Sequence, residues 1–210
     1  MRQIAYGGGQ MERREHVIYS SHLKKDMHII QYGHSGLPFI GFPTQCAPCT
    51  NYEDFGATRV LGPYFEEGQM QLFCVETVDG ESWCCKDGIN TWRSARQESY
   101  HRFIVDEVIP FIQKFYTQGM RPFVIGVDLG ATQAAITFFR RPELFCGRGA
   151  WEDECYRTLR YLDKILHKKR ISAMIDYWGE DVSHDWPWWR HQLEYFIPIV
   201  IREQSLVTLR

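Results

Sequence analysis

Four stretches of the chain carry residue types that could do acyl-transfer chemistry. In "FVIGVDLGATQ", residues 123–133, an apolar run feeds a Gly-x-Asp-x-Gly turn and then a helix-compatible segment. A turn of this kind holds its central side chain in strained backbone, so the neighbouring positions must be small. The helix behind it aims free N–H groups and a positive dipole end at developing negative charge. Asp128 stands at the central position, where the familiar version has Ser, and the N–H of Leu129 is placed to donate to an oxyanion. Two other readings of these residues stay open. Asp128 could cap the helix that follows, or the turn could cradle a phosphate.

The second stretch is "GEDVSHDWPWW", residues 179–189, in which His184 is the candidate base and three tryptophans surround it in sequence. The competing reading is an aromatic cluster with His184 merely bonded inside it. The third is "CGRGAWEDE", residues 146–154. Its acidic residues suit a helix N-terminus, or one of them, Glu152 or Asp153, orients the histidine as the acid of a triad does. The fourth is "GFPTQCAPCTNYEDFG", residues 41–56, a loop that in a hydrolase would present a second oxyanion N–H from Gln45 or Cys46.

Positioning these residues requires strands that end beside them. Apolar runs bounded by turn residues predict strands at 16–20, 27–32, 38–42, 70–76, 122–127 and 171–177. Helical periodicity predicts helices at 53–66, 97–117, 131–140, 153–168 and 187–202, with Pro110 kinking or breaking the second. Strands alternating with helices predict an α/β fold with a mostly parallel sheet and helices on both faces. Residues 1–14, polar and holding three consecutive glycines, read as a flexible leader to one domain over 15–210.

A chain of 210 residues suits one sizeable domain, and 44% hydrophobic residues support a packed core. The net charge of -2 gives no footprint for nucleic acid or an anionic membrane. No apolar run approaches the ~20 residues of a membrane span. No signal sequence is visible, so a cytoplasmic setting is the expectation. Seven cysteines, an odd number, then read as reduced thiols. Cys46-x-x-Cys49 with Cys84-Cys85 is an awkward ligand set for zinc, and neither a metal nor a cofactor is expected.

Together these pieces resemble the esterase D-like family of the α/β-hydrolase superfamily. The matching stretches include "GLPFIGFPTQ", "NYEDFG", "QLFCVETVDGESW", "GATQAAITFFRRPELF", "GRGAWEDE" and "DYWGEDVSHDWPWW", in the family's order, over residues from about 16 to 200. The resemblance implies a hydrolase of small esters or related acyl substrates. It places Asp128 at the nucleophile, His184 at the catalytic histidine and Glu152 at the acid. This chain departs from the family in two ways. The nucleophile position holds Asp instead of Ser, and a segment normally found after "RRPELF" is missing.

A shortened α/β-hydrolase fold follows, in which strands 122–127 and 171–177 become neighbours and bring Asp128 and His184 to one edge. The smaller sheet would expose an apolar edge suited to a homodimer. An aspartate beside an oxyanion predicts weak or lost esterase activity. The alternatives are a non-catalytic pseudo-hydrolase with a binding or scaffold role (natural, or an engineered variant), an Asp-nucleophile hydrolase such as a dehalogenase, and an ATP-phosphate turn of the sugar-kinase type.

Overall fold

The computed structural model describes residues 2–6, 9–117, 119–144, 156–171, 173–178 and 181–208. Six strands form one sheet: β1 (Arg2–Tyr6), β2 (Gly9–Ser20), β3 (Lys25–Tyr32), β4 (Leu37–Phe42), β5 (Met70–Val75) and β6 (Phe123–Gly126), in the order β1-β2-β3-β5-β4-β6. β4 pairs in parallel with both β5 and β6, while β1, β2, β3 and β5 are joined antiparallel. The α/β architecture holds, and the sheet is mixed where a mostly parallel one was expected. The reason is local. β2 and β3 are joined by the short turn over residues 21–24, and a hairpin connection permits only antiparallel pairing.

The leader expected at 1–14 therefore supplies strand. In "MERREHVIYS" the side chains alternate faces, and Arg13, almost fully buried, reaches Glu53 at 2.9 Å. That carboxylate also accepts the Tyr32 hydroxyl at 2.7 Å. Arg13 and Tyr32, paired with each other in the strand register, share the Glu53 carboxylate of the helix at 51–54.

Apolar side chains of the central strands alternate between two cores, as period-two geometry demands. Phe39, Leu72, Cys74, Phe123 and Ile125 face one core. Ile40, Phe42, Phe73, Val75 and Val124 face the other. The first core is closed by α1 (Asn51–Asp54), α2 (Ala57–Val60), α3 (Gly62–Glu66) and α8 (Trp186–Thr208). The second is closed by α4 (Asn90–Arg102), a π-helical turn over Phe103–Val108, α5 (Ile109–Phe115) and α6 (Leu129–Arg140). Each fully buried Leu, Ile or Phe contributes about 1.5–3 kcal/mol. Helices thus cover both faces, with α7 (Tyr156–Lys168) between α6 and α8 in the chain.

Two helical expectations are corrected in detail. The helix at 53–66 is three short pieces, because Gly56 takes φ 75° and Gly62-Pro63 restarts the helix. The helix at 97–117 begins earlier, at Asn90, and runs without a break into α5 through the π turn. Pro110 has no N–H to donate, and the wider π pairing just ahead of it accommodates the loss.

The strand expected at 171–177 is not formed: its described residues are irregular and mostly exposed. Apolar composition suited it to a sheet, but among the described residues no strand pairs with it, so it does not become the neighbour of β6. β6 is instead an end strand of the described sheet. Its residues are buried, Phe123 and Val124 to 2% exposure, so the exposed apolar edge that would have carried a homodimer is not formed there. No helix among the described residues is long and apolar enough to cross a membrane.

Candidate active site

From β4 the chain passes through α1–α3 to β5 on one side, then through α4 and α5 to β6 on the other. The strand order therefore reverses at β4. In open α/β sheets the crevice beyond the carboxyl ends of strands at such a switch is where ligands bind. Three connections leave the carboxyl ends there: Pro43–Cys46 after β4, Glu76–Asp79 after β5 and Val127–Asp128 after β6.

Asp128 has φ 55° and ψ -131°, outside both helical wells. A non-glycine residue held there costs of order 1–3 kcal/mol. The packing around it explains the glycines. A Cβ on Gly126 would lie 2.1 Å from the Gly130 carbonyl oxygen. One on Gly130 would lie 2.3 Å from the Pro43 oxygen and 2.4 Å from that of Phe42. Strand β6, helix α6 and the loop after β4 close on one another at van der Waals contact, and Asp128 is the side chain left pointing into the crevice.

The two carboxylate oxygens of Asp128 have different partners. Oδ1 lies 3.3 Å from His184 Nε2, and Oδ2 accepts the backbone N–H of Gln45 at 2.8 Å. Asp128 stands at the N-cap position of α6, and its carboxylate makes no capping bond there. The segment after the turn is helical from Leu129 to Arg140, where the ATP-phosphate reading required a second strand. Leu129 opens that helix, so its N–H is among the first-turn donors left without an intrahelical acceptor.

His184 sits in the turn ahead of α8, and tryptophans anchor that turn. Trp186 stacks on Phe55 at 5.2 Å and meets Tyr52 edge-on at 5.5 Å. Trp189 packs against Trp186 and against the His184 ring, both at 5.2 Å. Trp186 and Trp189 are buried while His184 is exposed. The aromatic cluster and the candidate base are thus one construction: the indoles fix the turn and the imidazole projects from it. Glu152 and Asp153 lie outside the described residues.

One residue at the site was missed by sequence reasoning. Asp79, only 1% exposed, accepts the Cys46 N–H at 3.1 Å through Oδ2 and the Gln133 side-chain amide at 3.1 Å through Oδ1. Gln133 is in turn bonded by Gln97 of α4 at 2.6 Å. Burial pushes the Asp79 carboxyl above its ordinary value, against the pull of bonds from Cys46, Gln133 and Thr77, and the nearby Asp128 charge adds to the rise. Asp79 thereby ties the loop after β4 to helix α6 from beneath. The Cys46 amide is committed to Asp79, and the Gln45 amide is the one that faces Asp128.

No protein-family model and no curated protein matches the chain. Solved structures do. A ferulic acid esterase superposes with a TM-score of 0.70 at 13% identity, covering 93% of this chain and 99% of its own. An S-formylglutathione hydrolase from Staphylococcus aureus superposes with a TM-score of 0.63 at 10% identity, covering 94% of this chain and 99% of its own. A fluorophosphonate-binding serine hydrolase of Staphylococcus aureus, substrate bound, gives a TM-score of 0.66 at 7% identity, covering 91% of this chain and 98% of its own. Likeness at these identities speaks to the fold.

Proposed function

We propose that this chain, which has an α/β-hydrolase fold, is an esterase-type hydrolase of small esters or related acyl substrates, with weak turnover because Asp128 replaces serine. The observation that carries the reading is the strained turn that projects Asp128 between His184 and the Gln45 amide. Asp128 takes the nucleophile's place, and His184 serves as base. Glu152 is assigned as the acid by resemblance. The N–H groups of Leu129 and Gln45 are the oxyanion donors.

The weakness has a physical cause. A serine alkoxide attacking an ester leaves a stable acyl-serine. A carboxylate would leave a mixed anhydride and lose its charge to the ester carbonyl, whose oxygen must become negative beside it. The Gln45 N–H is also occupied by Asp128 itself, so the donor meant for the substrate oxygen is engaged before substrate arrives. Where the mixed anhydride does form on Asp128, His184 is within reach to activate the water that hydrolyses it.

The same bond favours a second reading, a pseudo-hydrolase whose oxyanion site is filled by its own side chain. One set of measurements separates the two. With p-nitrophenyl acetate and a fluorophosphonate probe, the parent chain is expected to turn over slowly without labelling, and Asp128→Ser to gain activity and become labelled. Turnover that survives Asp128→Ala removes Asp128 from the mechanism. A folded Asp128→Ser that neither labels nor hydrolyses leaves the pseudo-hydrolase.

A further inference from the structure

A cleft of about 400 Å³ opens between α4, α6 and the connection after β5. Trp83 and Ile136 bring apolar surface to its walls, and Arg93, Gln97, Glu98 and Arg140 bring polar groups. Asp128, His184 and Gln45 are not among its lining residues. Ile136 and Arg140 lie well along α6, which opens at Leu129. At a rise of ~1.5 Å per residue they stand about 10 and 16 Å from its start. Clefts of roughly 300–1,000 Å³ with apolar walls and a few placed polar groups are where small ligands bind.

The polar groups are already fixed in place. Arg93 donates to the Ser82 carbonyl at 2.8 Å and the Trp83 carbonyl at 2.7 Å, and at 3.5 Å to Asn90 Oδ1. Arg140 donates to both carboxylate oxygens of Glu98, at 2.8 and 3.2 Å. The Gln97 amide donates to Gln133 at 2.6 Å. A guanidinium carries five N–H donors, so Arg93 and Arg140 each keep donors beyond these bonds. Bonding from Arg140 holds the Glu98 carboxyl below its ordinary value, so it stays ionised at neutral pH. Two guanidinium groups against one carboxylate leave the lining one positive charge in excess.

We propose that this cleft is a binding site for a small aromatic monocarboxylate, separate from the crevice at Asp128. The proposal stands whether or not Asp128 acts as a nucleophile. Trp83, 43% exposed, and Ile136 offer surface for a flat ring. The remaining guanidinium donors suit a carboxylate, whose two oxygens match arginine's planar fork. One negative charge neutralises the excess. A phosphate dianion would overshoot it and face Glu98, and an aromatic amine would be repelled by both arginines. Because the donors are pinned before the ligand arrives, little side-chain entropy is lost on binding.

The test is isothermal titration calorimetry of the full chain with 2-naphthoate, and with naphthalene-2-carboxamide as its uncharged counterpart. The acid is expected to bind with a Kd below about 1 mM, and the amide at least about tenfold more weakly. Arg140→Gln leaves Glu98 facing the ligand without its partner, and Ile136→Trp fills the cleft. Each is expected to weaken the acid at least about tenfold, while His184→Ala changes it by less than about twofold. Circular dichroism shows whether each variant is folded. Arg140, with 45% of its side chain exposed, carries the test should Ile136→Trp not fold. No binding of the acid, equal binding of acid and amide, or an unchanged affinity in folded Arg140→Gln overturns the proposal. So does an affinity lost in folded His184→Ala, which would place the ligand in the crevice at Asp128.

Discussion

His184 Nε2 lies 3.3 Å from Asp128 Oδ1 although 56 positions separate the two residues in the chain. One stands on a strand-to-helix turn whose shape its glycine neighbours permit. The other projects from a turn that the tryptophans of α8 hold in place. Each is positioned by packing that does not depend on the other, which is how a preorganised pair is built.

If His184 is the base, its removal acts on the chemical step. In the Asp128→Ser background, where turnover is easier to follow, His184→Ala is expected to lower kcat by ~10²–10⁴ with KM little changed. Steady-state kinetics on p-nitrophenyl acetate decide it, and an unchanged kcat would remove His184 from the reaction.

The glycines of the turn are expected to resist the smallest substitution. Gly130→Ala must push a methyl into the Pro43 and Phe42 carbonyls, and Gly126→Ala into the Gly130 carbonyl. Each should cost more than about 2 kcal/mol, as overpacking of backbone does. Gly62→Ala is the control, since a Cβ there meets nothing within 4 Å. Chemical denaturation of the three variants measures the contrast.

Asp79 should make stability depend on pH with a definite sign. Its carboxyl is raised in the folded chain above the ordinary 3.8, so the folded state holds that proton more tightly than the unfolded one. Stability from this group is full below the unfolded value and falls as pH rises toward the folded value. Asp79→Asn removes the titration. The melting temperature of the variant relative to the parent should therefore climb as pH rises above the ordinary carboxyl value of 3.8 and level once the folded-state value is passed. A difference that runs the other way would mean that the carboxylate, not the acid, is the form the fold prefers.

Trp186→Ala should damage stability and the site together. The indole is buried between Phe55, Tyr52 and Trp189, and such truncations cost about 3–5 kcal/mol. The His184 turn loses its anchor, so kcat in the Asp128→Ser background should fall even at temperatures where the variant remains folded. Circular dichroism paired with activity at low temperature separates the two effects.

Much of this was legible in the residues. β3, β4, β5 and β6 lie within two residues of the apolar runs that announced them, because turns bound each run and buried strands tolerate few polar residues. The Gly-x-Asp-x-Gly spacing announced the turn, since only glycine fits where the Gly126 and Gly130 backbones touch their neighbours. Strand β2 was hidden because its buried side chain is a charge: Arg13 reads as surface until Glu53 of α1 is seen bonded to it. The stretch at 171–177 misled in the opposite sense, having strand composition and, among the described residues, no strand paired with it. Asp79 looked like one polar residue of a turn. Nothing in its local sequence says that Cys46, 33 positions earlier, and Gln133, 54 positions later, converge on it.

β6 is bonded only to β4 among the described strands, through four rungs from Phe39–Phe123 to Phe42–Gly126. β4 also leads directly into the loop that presents the Gln45 amide. The turn bearing Asp128 and the amide facing it are therefore mounted on one shared beam. Damage to the antiparallel half of the sheet, at β1 or β2, would lower the melting point and leave their spacing intact. A change within β4 would move both supports of the site together.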